Sequence, residues 1–214
     1  EEDWATSWQK YYQPIPVGRR IYIVPDWMRG RPVPEGRTPL YLNPGLTFGT
    51  GSHPTTQLCL ELLEGTLRPG DRVLDLGCGS GILAIAALAL GASRAAGVDI
   101  DPKAADVAFE NAALNGIGPD RLSVYAGDVL TDKRLAGRLN PGQNRVVLAN
   151  IVADVIIPLS ARAGDFLAPD GVFLTSGIIE GRQGEVRAAL EGNGFAVTGH
   201  RERGGWHAFF AAKP

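Results

Sequence analysis

The stretch "VLDLGCGSG", residues 73–81, runs an apolar strand pattern into three glycines at alternate positions, Gly77, Gly79 and Gly81. Glycine allows positive φ and lets a ligand approach the backbone with no Cβ in the way. Ligands of open parallel sheets bind at the carboxyl ends of the strands, where these glycines fall. The spacing is G-x-G-x-G, not the G-x-G-x-x-G of dinucleotide sites. Asp75, two residues before the first glycine, suits a cationic ligand better than a pyrophosphate. Asp99 ends a second strand pattern 22 residues after Gly77, where a carboxylate accepts the hydroxyls of a ribose. Asp128 closes "YAGD" after a third strand pattern, placed to accept from an adenine amino group. A positively charged nucleoside meets all of these conditions, and S-adenosylmethionine is such a molecule. Local roles compete with each assignment. Asp101, with Pro102, reads better as a helix cap, and Asp99 could share that role. Asp128 is as readily a strand-end turn residue, and Asp75 an acceptor for turn N–H groups.

A fourth strand pattern ends in "VLANIVAD". The amide oxygen of Asn150 and the backbone carbonyl of Ile151 can hold an amine by its N–H bonds, leaving its lone pair free to react. Asn is also common at strand ends as a plain turn residue. Upstream lies a second glycine-rich stretch, "NPGLTFGTGSHPTT", residues 43–56. Its His53 reads as a residue that shapes the loop, and His200 and His207 of the terminal strand patterns read as structural. A metal site from His53, Cys59 and Cys78 has the wrong ligand spacing, so no metal is expected.

The elements that must position these residues alternate. Strand patterns at "RVLDLG", "AAGVDID", "LSVYAGD", "RVVLANI" and "GVFLTSGI" are separated by the helical patterns "GILAIAALALG", "DPKAADVAFENAALNG" and "ADVIIPLSARAGDFL". Such alternation predicts a mostly parallel sheet covered on both faces. "APDG" reads as a turn, and the segment between "YAGD" and "RVVLANI" as a loop. A further helix, "GRQGEVRAALEGNG", precedes two closing strands joined by "RGG", which must therefore pair antiparallel. A helix opens near Pro54, and another covers residues 1–12 with Trp4 and Trp8 on one side. From Gln13 to Gly45 prolines interrupt short strand candidates, "RRIYIVP" and "TPLYL", so a connecting or edge region is expected there rather than core.

Composition bounds the possibilities. The 214 residues are 44% hydrophobic and 21% charged, ordinary for a soluble globular chain of one domain plus an appendage or two small domains. A net charge of −2 and a pI near 6.0 give no electrostatic reason to expect a nucleic-acid or membrane partner. No apolar run reaches the ~18 residues of a membrane span. Two cysteines without ligand spacing suggest a reduced, intracellular protein. The chain opens on "EEDWATSWQKYY" with no Met, which is expected of a fragment.

Taken in order, "NPGLTFGTGSHPTT", "VLDLGCGSGILAIAALALGA", "GVDIDPKA", "LANI" and "SGI" resemble the PrmA family, the methyltransferases of large-subunit ribosomal protein eleven, from about Trp4 to the C-terminus. The resemblance implies an α/β, class I S-adenosylmethionine-dependent methyltransferase fold. Its sheet is seven-stranded and mostly parallel, with helices on both faces and the last strand pair antiparallel. The resemblance also implies S-adenosylmethionine as donor, and lysine side-chain amines and the N-terminal amine of the ribosomal protein as acceptors. Matching motif positions put cofactor contacts on Thr56, Gly77, Asp99 and Asn150, with the "FGTG" loop Phe48, Gly49, Thr50 and Gly51 closing over the methionine end. Family members carry a separate N-terminal domain that recognises the ribosomal protein. "EEDWATSWQKYY" resembles the end of the linker to it, and Thr47 stands where a small apolar residue is expected. The expected organisation is a linker remnant over 1–14, a connecting segment over 15–45 and a catalytic domain over 46–214. The expected protein is a cytoplasmic monomer that does not bind nucleic acid directly. Two alternatives remain: a cofactor-holding module inactive for lack of the recognition domain, and a nicotinamide-dependent oxidoreductase using the same glycine loop. A nucleic-acid amine methyltransferase would carry an aromatic in the acceptor loop to stack on a base, and "NIVA" has none.

Overall fold

The computed structural model describes residues 12–44 and 51–213. The expected helix over Trp4 and Trp8 and the loop residues Phe48, Gly49 and Thr50 lie outside the described residues. Three short strands come first, β1 (Ile15–Val17), β2 (Ile21–Pro25) and β3 (Thr38–Leu42), forming a small sheet in that order. β2 pairs antiparallel with β1 and parallel with β3. This segment is not the mere connection expected from its prolines. Ile21, Ile23, Leu40 and Leu42 are buried in one apolar cluster with Leu58, Leu63 and Ile85. Pro25 closes β2 and Pro39 sits on the edge strand β3, places where a missing N–H costs no ladder bond. Each short strand therefore keeps its apolar face.

The remaining elements are α1 (Pro54–Thr66), β4 (Arg72–Leu76), α2 (Ile82–Ala89), β5 (Arg94–Asp99), α3 (Lys103–Leu114), β6 (Leu122–Ala126), α4 (Lys133–Arg138), β7 (Asn144–Asn150), α5 (Ala153–Phe166), β8 (Leu167–Ile179), α6 (Gln183–Gly192), β9 (Ala196–Arg203) and β10 (Trp206–Ala212). The seven later strands form one sheet in the order β6-β5-β4-β7-β8-β10-β9. β4 to β8 run parallel, and β10 is antiparallel to both of its neighbours. The β9–β10 turn is Gly204–Gly205, both at positive φ (58° and 77°), the backbone a two-residue hairpin turn demands.

Alternation along the strands splits the core in two. Val73, Val146 and Leu148 face α1 and α2, whereas Leu74, Leu76, Val147 and Phe173 face α5 and α6, with Ile156, Phe166, Val186 and Leu190. α2 is apolar all round because it is buried all round, from Ile82 to Leu88. Two expectations are corrected. The loop before β7 contains α4, a turn-and-a-half too short to carry a periodic signal. Its N-terminus is capped by Asp132 Oδ1, which accepts from the Arg134 and Leu135 amides at 2.9 and 3.0 Å. "APDG" does not separate two elements but is a tight excursion inside β8, where a Cβ on Gly171 would stand 2.8 Å from Ala168 O. The β7–β8 register steps from Asn144↔Leu167 to Val146↔Val172 across it, which bends the strand locally.

Candidate active site

A cavity of about 430 Å³ opens at the carboxyl ends of β4, β5, β6 and β7. Its floor is the loop after β4, held to β5 by the Gly77 and Cys78 amides, which donate to Val98 O at 2.7 and 3.0 Å. Gly77 is required here twice over: its φ is +75°, and a Cβ would lie 2.4 Å from Ile151 Cγ2. Asp99, at the end of β5, turns back onto this loop. Its Oδ2 accepts from the Gly79 amide at 2.8 Å and its Oδ1 from the Asp101 amide at 3.0 Å. Each carboxylate oxygen retains a lone pair for a further donor, and Asp99 lines the cavity.

Asp128 also lines it. Its Oδ1 accepts from the Leu130 amide at 2.9 Å and its Oδ2 from the Thr131 hydroxyl at 3.1 Å. The turn role read as an alternative is thus present alongside the cavity position. Asp101 caps α3 by accepting from the Lys103 amide at 2.9 Å.

Asp75 does not reach the cavity. It is fully buried behind the glycine loop, where Oδ2 accepts from the Ala84 amide at 3.2 Å and Oδ1 has no partner among the described residues. Burial pushes its carboxyl up to about 7; the bond from Ala84 opposes this and the Asp99 charge adds to it. The direct ligand contact expected of Asp75 is therefore replaced by support of the α2 N-terminus from beneath. Gly81 likewise falls outside the lining; it begins α2, and a Cβ there would meet Ala108 Cβ at 2.8 Å.

The acceptor side is built by α1, β7 and β8. Thr56, fully buried in the first turn of α1, accepts from Asn150 Nδ2 at 3.2 Å. The amide is thereby oriented, and its Oδ1 has no partner among the described residues. Ile151 donates its N–H to Ser176 O at 3.1 Å. Its carbonyl oxygen would lie 2.4 Å from a Cβ on Gly177. Ile151 is held between two glycines, one from the ligand loop and one from β8. Ser176 and Gly177 carried no assigned role in the sequence, although "SGI" was visible as a motif. The apolar rim was missed as well: Ile100, Val152 and Val155 line the cavity yet are 79%, 59% and 41% exposed.

His53 is structural. It is the N-cap of α1, its Nδ1 lies 2.8 Å from Thr55 Oγ1, and its ring meets Trp206 edge-on at 4.9 Å. His200 and His207 pair with each other at 2.9 Å, and His207 reaches Glu180 at 2.8 Å. Cys59 and Cys78 are buried free thiols whose ionisation burial suppresses. Among the described residues, no helix is long and apolar enough to cross a membrane.

A glycine loop and two strand-end carboxylates facing an amide, on a sheet of this order with one reversed strand, define a class I S-adenosylmethionine-dependent methyltransferase fold. The profile of one family, "Ribosomal protein L11 methyltransferase (PrmA)", matches residues 1–214. A relative of that name from Pelotomaculum thermopropionicum is 46% identical over 211 residues, covering 99% of this chain and 66% of the relative. Another, from Desulfitobacterium hafniense, is 48% identical over 206 residues, covering 96% and 63%. The crystal structure of ribosomal protein L11 methylase from Lactobacillus delbrueckii subsp. bulgaricus is 33% identical, with a TM-score of 0.84 over 95% of this chain and 100% of that one. The chain belongs to the ribosomal protein L11 methyltransferase family. It spans about two thirds of the length of these curated relatives. The oxidoreductase alternative finds no support among them.

Proposed function

We propose that this chain is the catalytic domain of an S-adenosylmethionine-dependent protein N-methyltransferase that methylates lysine and N-terminal amines of ribosomal protein L11. The observation that carries this reading is the oriented amide of Asn150, whose Nδ2 is committed to Thr56 while its Oδ1 stays free at the cavity wall. The cavity suits the donor. At about 430 Å³ it lies in the ordinary range of small-molecule sites. Asp99 would take the ribose hydroxyls, Asp128 the adenine amino group, and the loop at Gly77 and Gly79 the close approach of the methionine part. When bound, the cofactor supplies a methyl group on a sulfonium, ready for in-line displacement.

The protein's share is then alignment and dehydration. Asn150 Oδ1 and the Ile151 carbonyl accept the N–H bonds of a neutral amine, which points its lone pair away from them and into the cavity. Fixing a nucleophile in this way is worth roughly 7–11 kcal/mol of barrier. Keeping a lysine of pKa ~10.4 neutral near pH 7.5 costs about 4 kcal/mol, whereas an α-amine of pKa ~7.8 costs only a few tenths. Ile100, Val152 and Val155 lower that cost for lysine by excluding water, which disfavours the ammonium form. No general base is demanded. Residues 46–214 would form the catalytic domain. The cellular setting would be the cytoplasm, and the working unit a monomer whose methyl-transfer cleft makes no direct nucleic-acid contact.

Mass spectrometry of ribosomal protein L11 incubated with this chain and S-adenosylmethionine tests the proposal; added methyl groups are the expected result. A second reading draws on the chain's length, about two thirds of its relatives: a domain that binds cofactor but does not turn over L11 unaided. Cofactor binding without methylation would select it. Absence of cofactor binding would refute both.

A further inference from the structure

A second cavity, of about 200 Å³, lies at the other end of the sheet, beneath the amino ends of β4 and β5 and against α4. Four arginines line it, Arg72, Arg94, Arg121 and Arg138, with Asp120 as the one acid among its lining residues. Arg72 and Arg94 are direct partners across the parallel β4–β5 pair, so their side chains leave the sheet on one face about 5 Å apart. Like charges so placed repel. Neither guanidinium forms an ion pair or hydrogen bond among the described residues. The other two are differently engaged. Arg121 Nη2 donates to Leu88 O and Ala92 O, both at 3.0 Å, which leaves its other N–H groups free. Arg138 lies over the Tyr125 ring at 4.5 Å, which fixes its plane at the cavity wall. On the next strand Arg145 spends its Nε on Asp170 at 3.1 Å and leaves Nη1 buried without a partner among the described residues. The region therefore holds a surplus of positive charge in an otherwise acidic chain of net charge −2.

We propose that this cavity binds a phosphate-type oxyanion. Guanidinium forks match tetrahedral oxyanions with paired, charge-assisted hydrogen bonds. An anion between Arg72 and Arg94 would turn their repulsion into shared attraction, and the small volume admits a phosphate or diphosphate group rather than a large ligand. The source of that phosphate is either a free phosphate compound or the phosphodiester of an RNA strand. The inference is independent of methyl transfer, since none of these arginines lines the cleft at the carboxyl ends of the strands.

The test is calorimetric titration at low ionic strength with two probes, inorganic pyrophosphate and a short single-stranded RNA lacking terminal phosphates. The wild-type chain and Arg72→Gln/Arg94→Gln are compared. Saturable binding of either probe by the wild type, weakened at least about tenfold in the variant, is the expected result. Pyrophosphate alone binding identifies a free phosphate compound; RNA that competes with pyrophosphate identifies a strand. Lack of saturable binding of both probes overturns the proposal, as does undiminished binding by the variant. The substitutions remove a repulsion, so the unliganded variant should melt no lower than wild type. Should it fail to fold, Arg138→Gln on the opposite wall serves in its place, with the same loss expected.

Discussion

Gly177→Ala perturbs the acceptor site without touching a side chain that contacts ligand. Gly177 follows Ser176 on β8 with φ +87°, and a Cβ there would stand 2.4 Å from Ile151 O, 2.8 Å from Ile151 C and 2.9 Å from Ile151 N. All three atoms are backbone, so no rotamer change relieves the contact. Ordinary contact begins near 3.4 Å, so the strand ends must part by 3.4 − 2.4 = 1.0 Å. The carbonyl that must move is the one assigned to the amine, and a misplacement of about 1 Å can cost roughly 10²-fold in rate. The strained φ adds about 1 kcal/mol of lost stability. Single-turnover methylation should therefore slow about a hundredfold, while the cofactor dissociation constant, assigned chiefly to groups at the ends of β4, β5 and β6, changes by less than about threefold. A thermal melt shows whether the variant is folded. A folded Gly177→Ala enzyme with a turnover within about threefold of wild type would refute the role given to the Ile151 carbonyl.

Three other outcomes follow from the same geometry. Asp99→Ala should weaken S-adenosylmethionine more than about tenfold by calorimetry, because a charged acceptor for ribose is lost and the Gly79 amide is freed; unchanged affinity sinks the ribose assignment. Asn150→Ala should lower turnover about ten- to a hundredfold with a smaller change in cofactor affinity; the reverse pattern would make Asn150 mainly a cofactor ligand. Asp75 links stability to pH, since its carboxyl rises from an ordinary 3.8 to about 7 in the fold. A raised acid favours the protonated folded state, so stability is fully present below about pH 4 and declines by roughly 4 kcal/mol as pH climbs to about 7. Asp75→Asn keeps an acceptor for the Ala84 amide and should flatten this decline in melts between pH 4 and 7; parallel pH profiles for the two proteins would contradict it.

Much of the site was legible because its residues are placed by strand periodicity. An acid or amide at the end of an apolar strand must emerge at the carboxyl edge of the sheet, so sequence alone brings Gly77, Asp99, Asp128 and Asn150 to one rim. Asp75 escaped the same logic. It lies inside strand β4, where alternation decides only which face it takes, not that α2 would cover it completely. Gly177 was illegible for another reason, since its role exists only across the β7–β8 pair and nothing local to "SGI" names its neighbour. The first sheet misled through its prolines, whose meaning depends on whether the strand is an edge. α4 was too short to announce itself. Local chemistry was readable from sequence, then, and contacts between distant segments were not.

Those distant contacts also fix the two described ends of the upstream glycine-rich stretch. Its two described ends are fastened near the end of the ligand loop that leads into α2. At the near end, the Asn43 amide donates to Asn111 Oδ1 at 3.0 Å, and the same fully buried Asn111 donates through Nδ2 to Ser80 O at 3.0 Å. One turn on in α3, Asn115 clamps Tyr41 through both its backbone groups, at 2.9 and 2.7 Å. At the far end Gly51 leaves no room for a side chain, because a Cβ would stand 2.3 Å from Ile23 Cδ1 and 3.1 Å from Ile82 Cδ1, the first residue of α2. Gln57 holds the Gly51 and Ser52 carbonyls at 3.4 and 3.2 Å. The chain thus leaves from α3, one hydrogen-bonded step from Ser80, and returns against the first residue of α2. The near root thus shares Asn111 with the ligand loop, and the far root packs where that loop enters α2. The small first sheet is then part of the site's construction, since Ile23 and Tyr41 are among the residues that set those roots.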